Sequence, residues 1–426
     1  MRVIQIVNSA YGVRNAIGAR PMHVAGELPG DTELIVLARG ATAEARRRFD
    51  VRRCGVGPVL GKVLKAVNVY LWQGFPHKAI LQRRFEGDAS RWIRRLPMER
   101  CDLVHTWAEI PQILAEAKRR NPRLVVIRDV SMCPSCERPG FGPDASDTVQ
   151  RDAPVADYFL APSPIVAHTM VNRCGIEAER IFTVPFGVDV ELFRPRWLSG
   201  AAGAGGSTRG PGRNPRARDE NKHYGDTDQR APGVDTRAPG PFSVAFSGHV
   251  DRRKGIPELL EAWESLSSAP GFDGAELHLY GRVYPDVRPL FRGAESRGVR
   301  LRGFMDLPEE LPKHDLFVLP SHREGSAKSV YEALACGLPV VTTPEAGSVV
   351  REGIEGRIVP AGDAGALAEA IRFYRENEGA REQASRGARA RAEEFTWERY
   401  GRRVAEVYAE AVARGPWHGS PGENKS

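Results

Sequence analysis

The chain has 426 residues, of which 41% are apolar and 27% charged, and its formal net charge is +7. Those proportions exclude a collagen-like or wholly disordered chain, and the length exceeds what one hydrophobic core normally fills, so two domains are expected. The excess of positive charge argues only weakly for an anionic ligand, an anionic membrane or nucleic acid.

In chain order, Met1–Val7 reads as a buried strand. Its apolar part, Val3–Val7, is too short for a signal-peptide core, and no later run approaches the ~20 residues that cross a bilayer. A cytoplasmic protein is expected. The six cysteines are scattered over a long chain, so reduced thiols are expected rather than disulfides. The loop Asn8–Gly18 follows, with Gly12 and Gly18 suited either to a close approach to phosphate or to an ordinary flexible loop.

From Glu44 to Arg100 there are fourteen Lys or Arg residues against five Asp or Glu. Within that stretch, Leu60, Val63, Leu64, Val67 and Leu71 fall on one helical face opposite Lys62, Lys65 and Asn68. Trp72, Phe75, Arg83, Arg84, Trp92, Arg94 and Arg95 follow. Such a surface suits peripheral contact with anionic lipid through residues 46–100; burial of the stripe in the first domain is the alternative.

Further β-rich runs at Leu34–Leu37, Leu103–His105, Leu124–Ile127, Tyr158–Ala161 and Ile181–Val184 alternate with helical patterns. Ile113 and Ala117 belong to one such helix, which Asn121-Pro122 ends. Strand and helix in alternation imply a parallel sheet with ligands at the carboxyl ends of its strands. Cys133-Pro-Ser-Cys136 is a lone C-x2-C, and tetrahedral zinc would need two more ligands that no nearby pair supplies, so no metal site is expected.

Residues Ser199–Pro241 are about one-third Gly plus Pro, with almost no large apolar side chain. They cannot build a core and read as a flexible insert, with non-specific RNA binding as the alternative. Strands resume at Val244–Phe246, Leu277–Tyr280, Val299–Arg302, Leu316–Leu319, Val340–Thr342 and Arg357–Val359. A closing helix starts at Thr396, with Tyr400, Val404, Val407 and Tyr408 on one face. The divisions expected are a first domain over 1–195, an insert over 196–240 and a second domain over 241–395. A helix over 396–414 then packs back toward the first domain, and a disordered tail covers 415–426.

The most informative segment runs from Leu316 through Pro320-Ser321 to Glu324-Gly325-Ser326-Ala327-Lys328-Ser329 and on to Glu332, with Gly337 as terminator. At ~1.5 Å rise per residue, eight helical positions separate Glu324 from Glu332 by roughly 12 Å, near the length of a nucleotide diphosphate sugar. A helix N-terminus between them offers unpaired N–H groups to a diphosphate. Two glutamates at this spacing are also ordinary on a solvated helix face.

With that element after a Pro-Ser strand end, the chain resembles the retaining family 4 glycosyltransferases (glycosyl transferases group 1). Supporting stretches are Val184-Pro-Phe-Gly187-Val-Asp189, Gly248-His249-Val-Asp-Arg-Arg253-Lys254-Gly255, Ala346-Gly347-Ser348 and Phe395-Thr-Trp397-Glu-Arg-Tyr400. The resemblance implies the GT-B fold, two facing Rossmann-like doubly wound α/β domains around an interdomain cleft. It also implies transfer of a sugar from a nucleotide diphosphate sugar to a hydroxyl of a glycan, a lipid-linked or a small-molecule acceptor. Glu324 would contact the donor sugar and Glu332 the ribose, while Gly248 and Lys254 match a loop that neutralises the diphosphate without metal or other cofactor.

The family's arginine in that loop is His249 here, so a second charge falls to protonated His249, to Arg252 or to Arg253. Asp129 matches a family His-Asp pair whose histidine is replaced by Arg128. His105 stands at a strand end, either in the cleft or in a structural hydrogen bond. The resemblance implies front-face transfer with the donor phosphate helping to deprotonate the acceptor. Because His249 and Arg128 both depart from the pattern, a sugar-nucleotide-binding protein impaired in catalysis is the alternative. No nucleic-acid motif accompanies the basic stretch, so specific nucleic acid is not expected.

Overall fold

The computed structural model describes residues 1–11, 19–55, 77–131, 146–199 and 241–419. Gly12, the stripe at 59–72, the Cys133/Cys136 pair and the 200–240 part of the insert lie outside them.

The first sheet contains β1 (Arg2–Tyr11), β2 (Glu33–Ala41), β3 (Asp50–Arg53), β4 (Leu103–Thr106), β5 (Val125–Asp129), β6 (Tyr158–Ala161) and β7 (Ile181–Thr183), in the order β3-β2-β1-β4-β5-β6-β7. The second contains β8 (Ser243–Ser247), β9 (Glu276–Tyr280), β10 (Val299–Gly303), β11 (Leu316–Leu319), β12 (Val340–Thr342) and β13 (Gly356–Ile358), in the order β10-β9-β8-β11-β12-β13. The pairings are parallel throughout both sheets. Helices cover both faces, which is why the inner strands read as continuous apolar runs. In each sheet the strand order reverses beside the first strand, between β1 and β4 and between β8 and β11. Those two crevices, at the carboxyl ends, are where such folds bind ligands.

The helices that frame the site are α1 (Ala19–Gly26), α2 (His77–Arg95), α3 (Pro164–Cys174), α4 (Ile256–Ser267), α5 (Lys328–Ala335) and α6 (Trp397–Arg414). Thr396 caps α6 by accepting from the Arg399 N–H. Its buried stripe of Tyr400, Val404, Val407, Tyr408 and Ala411 packs on Val3, Leu103, Val125, Ile127 and Leu160 of the first sheet. The last helix thus completes the core of the first domain. The chain passes between domains at two adjacent places, where the Val188 N–H donates to the Phe395 carbonyl at 2.8 Å and Val188 bridges to Thr396. Arg389 Nη1 braces this crossing by donating to the carbonyls of Val190, Phe193 and Ala335, each at 3.0 Å.

The strand β3 is absent from the sequence expectation. It lies at the sheet edge, and its sequence Asp-Val-Arg-Arg has charges where an apolar alternation would signal a strand. Four cysteines, Cys54, Cys101, Cys174 and Cys336, are free and buried. Among the described residues no helix is long and apolar enough to cross a membrane.

Tyr408 has no exposed surface, and its hydroxyl meets His105 Nδ1 at 2.7 Å. Tyr408→Ala removes the ring and orphans that nitrogen, so a loss of about 3–5 kcal/mol is expected in urea denaturation. A loss under about 1 kcal/mol would show that α6 is not part of the first domain's core.

Candidate active site

The second sheet's crevice is assembled from the loops after β8 and β11. After β8, Asp251 Oδ1 accepts from the Lys254 N–H at 3.0 Å and closes a 3-10 turn over Arg252–Lys254. Gly255 then turns left-handed at φ 72°, and an added Cβ would lie 2.0 Å from the Pro320 carbonyl oxygen. Only glycine permits this contact, and it presses the β8 loop onto the end of β11. After β11, the Glu324 N–H donates to the Glu345 carbonyl at 2.9 Å and the Ala327 N–H to the Ala346 carbonyl at 3.0 Å. Gly347, at φ 59°, has room for no Cβ because Gly325 O would be 2.4 Å away.

These backbone contacts bring Lys254 and Glu324 together. Lys254, 8% exposed, places Nζ 2.7 Å from Glu324 Oε1, and Arg253 Nη1 bonds the same oxygen. Arg253 also donates to the Arg323 carbonyl at 2.9 Å. Gly248 lies against this cluster, since a Cβ there would sit 3.5 Å from Lys254 Cε. His249 is exposed, its ring 5.2 Å from that of Tyr284. Burial holds its pKa below the usual value; Arg253 and Lys254 act the same way, while Asp251 and Glu324 oppose them.

The helix after β11 differs from expectation in its start. Only Lys328–Ala335 is helical, so Glu324 lies in the preceding loop and the roughly 12 Å helical spacing does not describe the pair. In this loop the Glu324 and Ala327 N–H groups bond the carbonyls of Glu345 and Ala346 instead of standing free at a helix start. Gly325, Ser326 and Ala327 belong to this loop and are buried; Ser326 Oγ meets Tyr331 OH at 2.8 Å. Lys328 and Ser329 open α5, and Lys328 Nζ lies 3.1 Å from Glu332 Oε1. Each glutamate therefore has its own lysine. Burial raises the Glu332 pKa, and Lys328 opposes the shift.

In the first domain Asp129 is 4% exposed and accepts from Arg20 Nη1 at 3.0 and 3.3 Å. Arg20 Nη2 also donates to Ser131 Oγ at 2.6 Å, and its guanidinium lies 4.7 Å over the Phe186 ring. Arg128, one residue earlier in β5, points to the other face of the sheet and donates to Asp152 Oδ2 at 2.6 Å. His105 has no exposed surface and bonds Tyr408 in the interior; burial, then Arg20 and Arg128, keep it neutral. Its strand-end position does not bring it to the cleft. Across the cleft, Ser163 Oγ, just before α3, donates to the Gly325 carbonyl.

Sequence reasoning missed Arg20 and Ser163. Arg20 follows the Asn8–Gly18 loop with no motif around it, and Ser163 carries only the weak signal of a serine preceding proline at a helix start. No group of three or more metal-ligating side chains occurs among the described residues.

Two family models match, "Glycosyltransferase Family 4" over residues 31–192 and "Glycosyl transferases group 1" over 241–377. They cover both domains and include Asp129, Lys254, Glu324 and Glu332. The chain belongs to the group 1, family 4 glycosyltransferases. It is 27% identical over 273 residues to a D-inositol 3-phosphate glycosyltransferase of Xylanimonas cellulosilytica, spanning 61% of this chain and 58% of that protein. To the protein of the same name from Saccharomonospora viridis it is 33% identical over 273 residues, spanning 61% and 56%. The alignments thus span little more than half the length of these relatives.

Its fold is that of Anabaena HepE, solved in complex with UDP, with a TM-score of 0.63 at 16% identity over 96% of this chain and 100% of that one. Sucrose-phosphate synthase from Thermosynechococcus elongatus superposes with a TM-score of 0.66 at 16% identity over 97% and 100%. The architecture of this family member is GT-B, two parallel Rossmann-like domains.

A carboxyl with a pKa raised in the folded state contributes stability that is present below its unfolded pKa and lost as pH rises through the folded value. Glu332→Gln stays neutral, so the variant should gain stability relative to wild type as pH rises from about 4 to about 7. Paired thermal unfolding curves across that range check this; a constant difference would show that Glu332 titrates normally.

Proposed function

We propose that this glycosyltransferase moves a sugar from a nucleotide diphosphate sugar to an acceptor hydroxyl with retention of anomeric configuration. The observation that carries the proposal is the Lys254–Glu324–Arg253 cluster at the second sheet's switch point. A diphosphate placed there would meet Lys254, Arg253 and the first N–H groups of α5, with His249 at the rim. Glu332, farther along α5, suits the ribose hydroxyls, and Glu324 the hydroxyls of the donor sugar. That relatives in fold are solved with UDP supports a nucleotide donor.

In the reaction proposed, the bond from the anomeric carbon to the diphosphate oxygen breaks and a bond to the acceptor oxygen forms on the same face. The acceptor proton goes to the departing phosphate oxygen. Basic side chains and helix N–H groups stabilise the leaving diphosphate, so no divalent metal and no further cofactor are required. The acceptor is a glycan, lipid-linked or small-molecule hydroxyl compound. Exposed Arg83, Arg84, Arg91, Arg94 and Arg95 on α2 provide the face for anionic lipid at the inner side of the cytoplasmic membrane.

Removing the Glu324 carboxylate leaves both cations in place. Glu324→Ala should therefore lower kcat about 100-fold or more while UDP affinity holds or tightens. Lys254→Ala should weaken UDP binding about tenfold and lower turnover too. Calorimetry with UDP and a nucleotide-sugar turnover panel, each with and without EDTA, checks both. Nucleotide binding with no turnover on any donor would mark a binding protein instead, and activity that EDTA abolishes and manganese restores would overturn the metal-free mechanism.

Burial lowers the His249 pKa without ligand, and an adjacent diphosphate would raise it. Where the imidazolium assists, kcat declines as pH rises through the raised value, and His249→Arg removes that decline. Profiles of kcat between about pH 5.5 and 8.5 for wild type, His249→Ala and His249→Arg decide it. An unaltered alanine variant would assign the second charge to Arg252 or Arg253.

A further inference from the structure

The other switch point, between β1 and β4, opens into a pocket of about 570 Å³ bordered by Asn8, Gln82, Glu86, Trp107, Glu109 and Asp152. That volume suits a small molecule. Two of its side chains are more than nine-tenths buried and lack a partner on one polar atom among the described residues. Trp107, 8% exposed, has no acceptor for its Nε1–H, and Asp152, with no exposed surface, has no donor for Oδ1 although Oδ2 takes Arg128. Asn8 Oδ1 is likewise without a donor, its amide nitrogen being committed to Gln82.

Buried groups without partners are costly, and here one donor and two acceptors border one cavity. A hydroxyl group answers both, donating to Asp152 or Asn8 and accepting from Trp107. Phosphate answers only the donor. The charges sharpen the distinction. Among the described residues that border it, Glu86, Glu109 and Asp152 bring three carboxylates. Arg128 is already divided between Asp152 at 2.6 Å and Glu109 at 4.0 Å, and exposed Arg151 at the rim has a partner of its own.

We infer that this pocket seats the non-reacting part of the acceptor, and that this part is an uncharged polyhydroxyl ring, a hexopyranoside or cyclitol without phosphate. The inference rests on the transferase proposal for calling the ligand an acceptor. It sets the chain apart from the relatives named for D-inositol 3-phosphate.

The test is titration of the full chain, saturated with UDP, by saturation-transfer NMR. The probes are methyl α-D-glucopyranoside and myo-inositol against glucose 6-phosphate and inositol 1-phosphate. At least one neutral ring should bind about tenfold or more tightly than its phosphate. Trp107→Phe, which keeps an aromatic ring and removes the N–H donor along with part of the indole, should weaken that binding about tenfold without changing UDP affinity. Glu109→Lys, at a half-exposed position, should bring the phosphorylated ring to parity or better.

Equal or tighter binding of the phosphates to wild type, no binding of either neutral ring, or an unaltered Trp107→Phe would each overturn the inference. If nucleotide sugars turn over while the neutral rings fail to bind, the pocket assignment falls alone. If the rings bind through Trp107 while no donor is turned over, the pocket stands and the transferase proposal falls.

Discussion

One carboxylate, Glu324, holds two cations at one spot. Lys254 and Arg253 both reach its side chain, and without it Lys254 would lose that carboxylate while Arg253 would retain Asp251 at 3.9 Å. Breaking such a pair by removing one partner typically costs about 3–5 kcal/mol, so the cluster constrains the loops around it. Two glycines let the loops of the second domain's crevice close on this arrangement. Gly255 lets the β8 loop touch Pro320, and Gly347 lets residues 343–347 support Gly325. The first domain joins through Ser163, whose hydroxyl reaches the Gly325 carbonyl.

The first domain solves a different problem with the alternation of a single strand. In β5, Arg128 and Asp129 are consecutive and so must face opposite sides of the sheet. Asp129 turns toward α1 and α6, where it fixes Arg20, while Arg128 turns toward the pocket side and neutralises Asp152. A family histidine in place of Arg128 would carry its charge only when protonated. Arginine is charged at every physiological pH, which makes the pairing with buried Asp152 permanent.

Much of this was legible in the sequence because parallel strands covered on both faces must be apolar along their length. The runs at Leu316–Leu319 and Tyr158–Ala161 coincide with β11 and β6, and the stripe of α6 was visible from its spacing. Glu324, Lys254 and Gly248 could be placed near one another through the family resemblance, whose motifs lie in strand-end loops. The start of α5 was not legible, since the backbone bonds of residues 324–327 are made to a loop twenty residues away. His105 looked available at a strand end, and only tertiary packing of Tyr408 closes it off. Arg20 and Trp107 lacked any local pattern, because their significance lies in distant partners or in the lack of one.

The helix α6 follows the whole second sheet in the chain yet packs on Val3, Leu103 and Val125 of the first. A chain emerging from the ribosome would expose that face of the first sheet until residues near 400 leave the exit tunnel. The first domain therefore cannot close its core in the order in which it is made. The second domain, whose buried cluster runs from Val188 to Ala392, can collapse earlier. Vectorial synthesis here would leave one face of the first sheet uncovered until that helix has followed it.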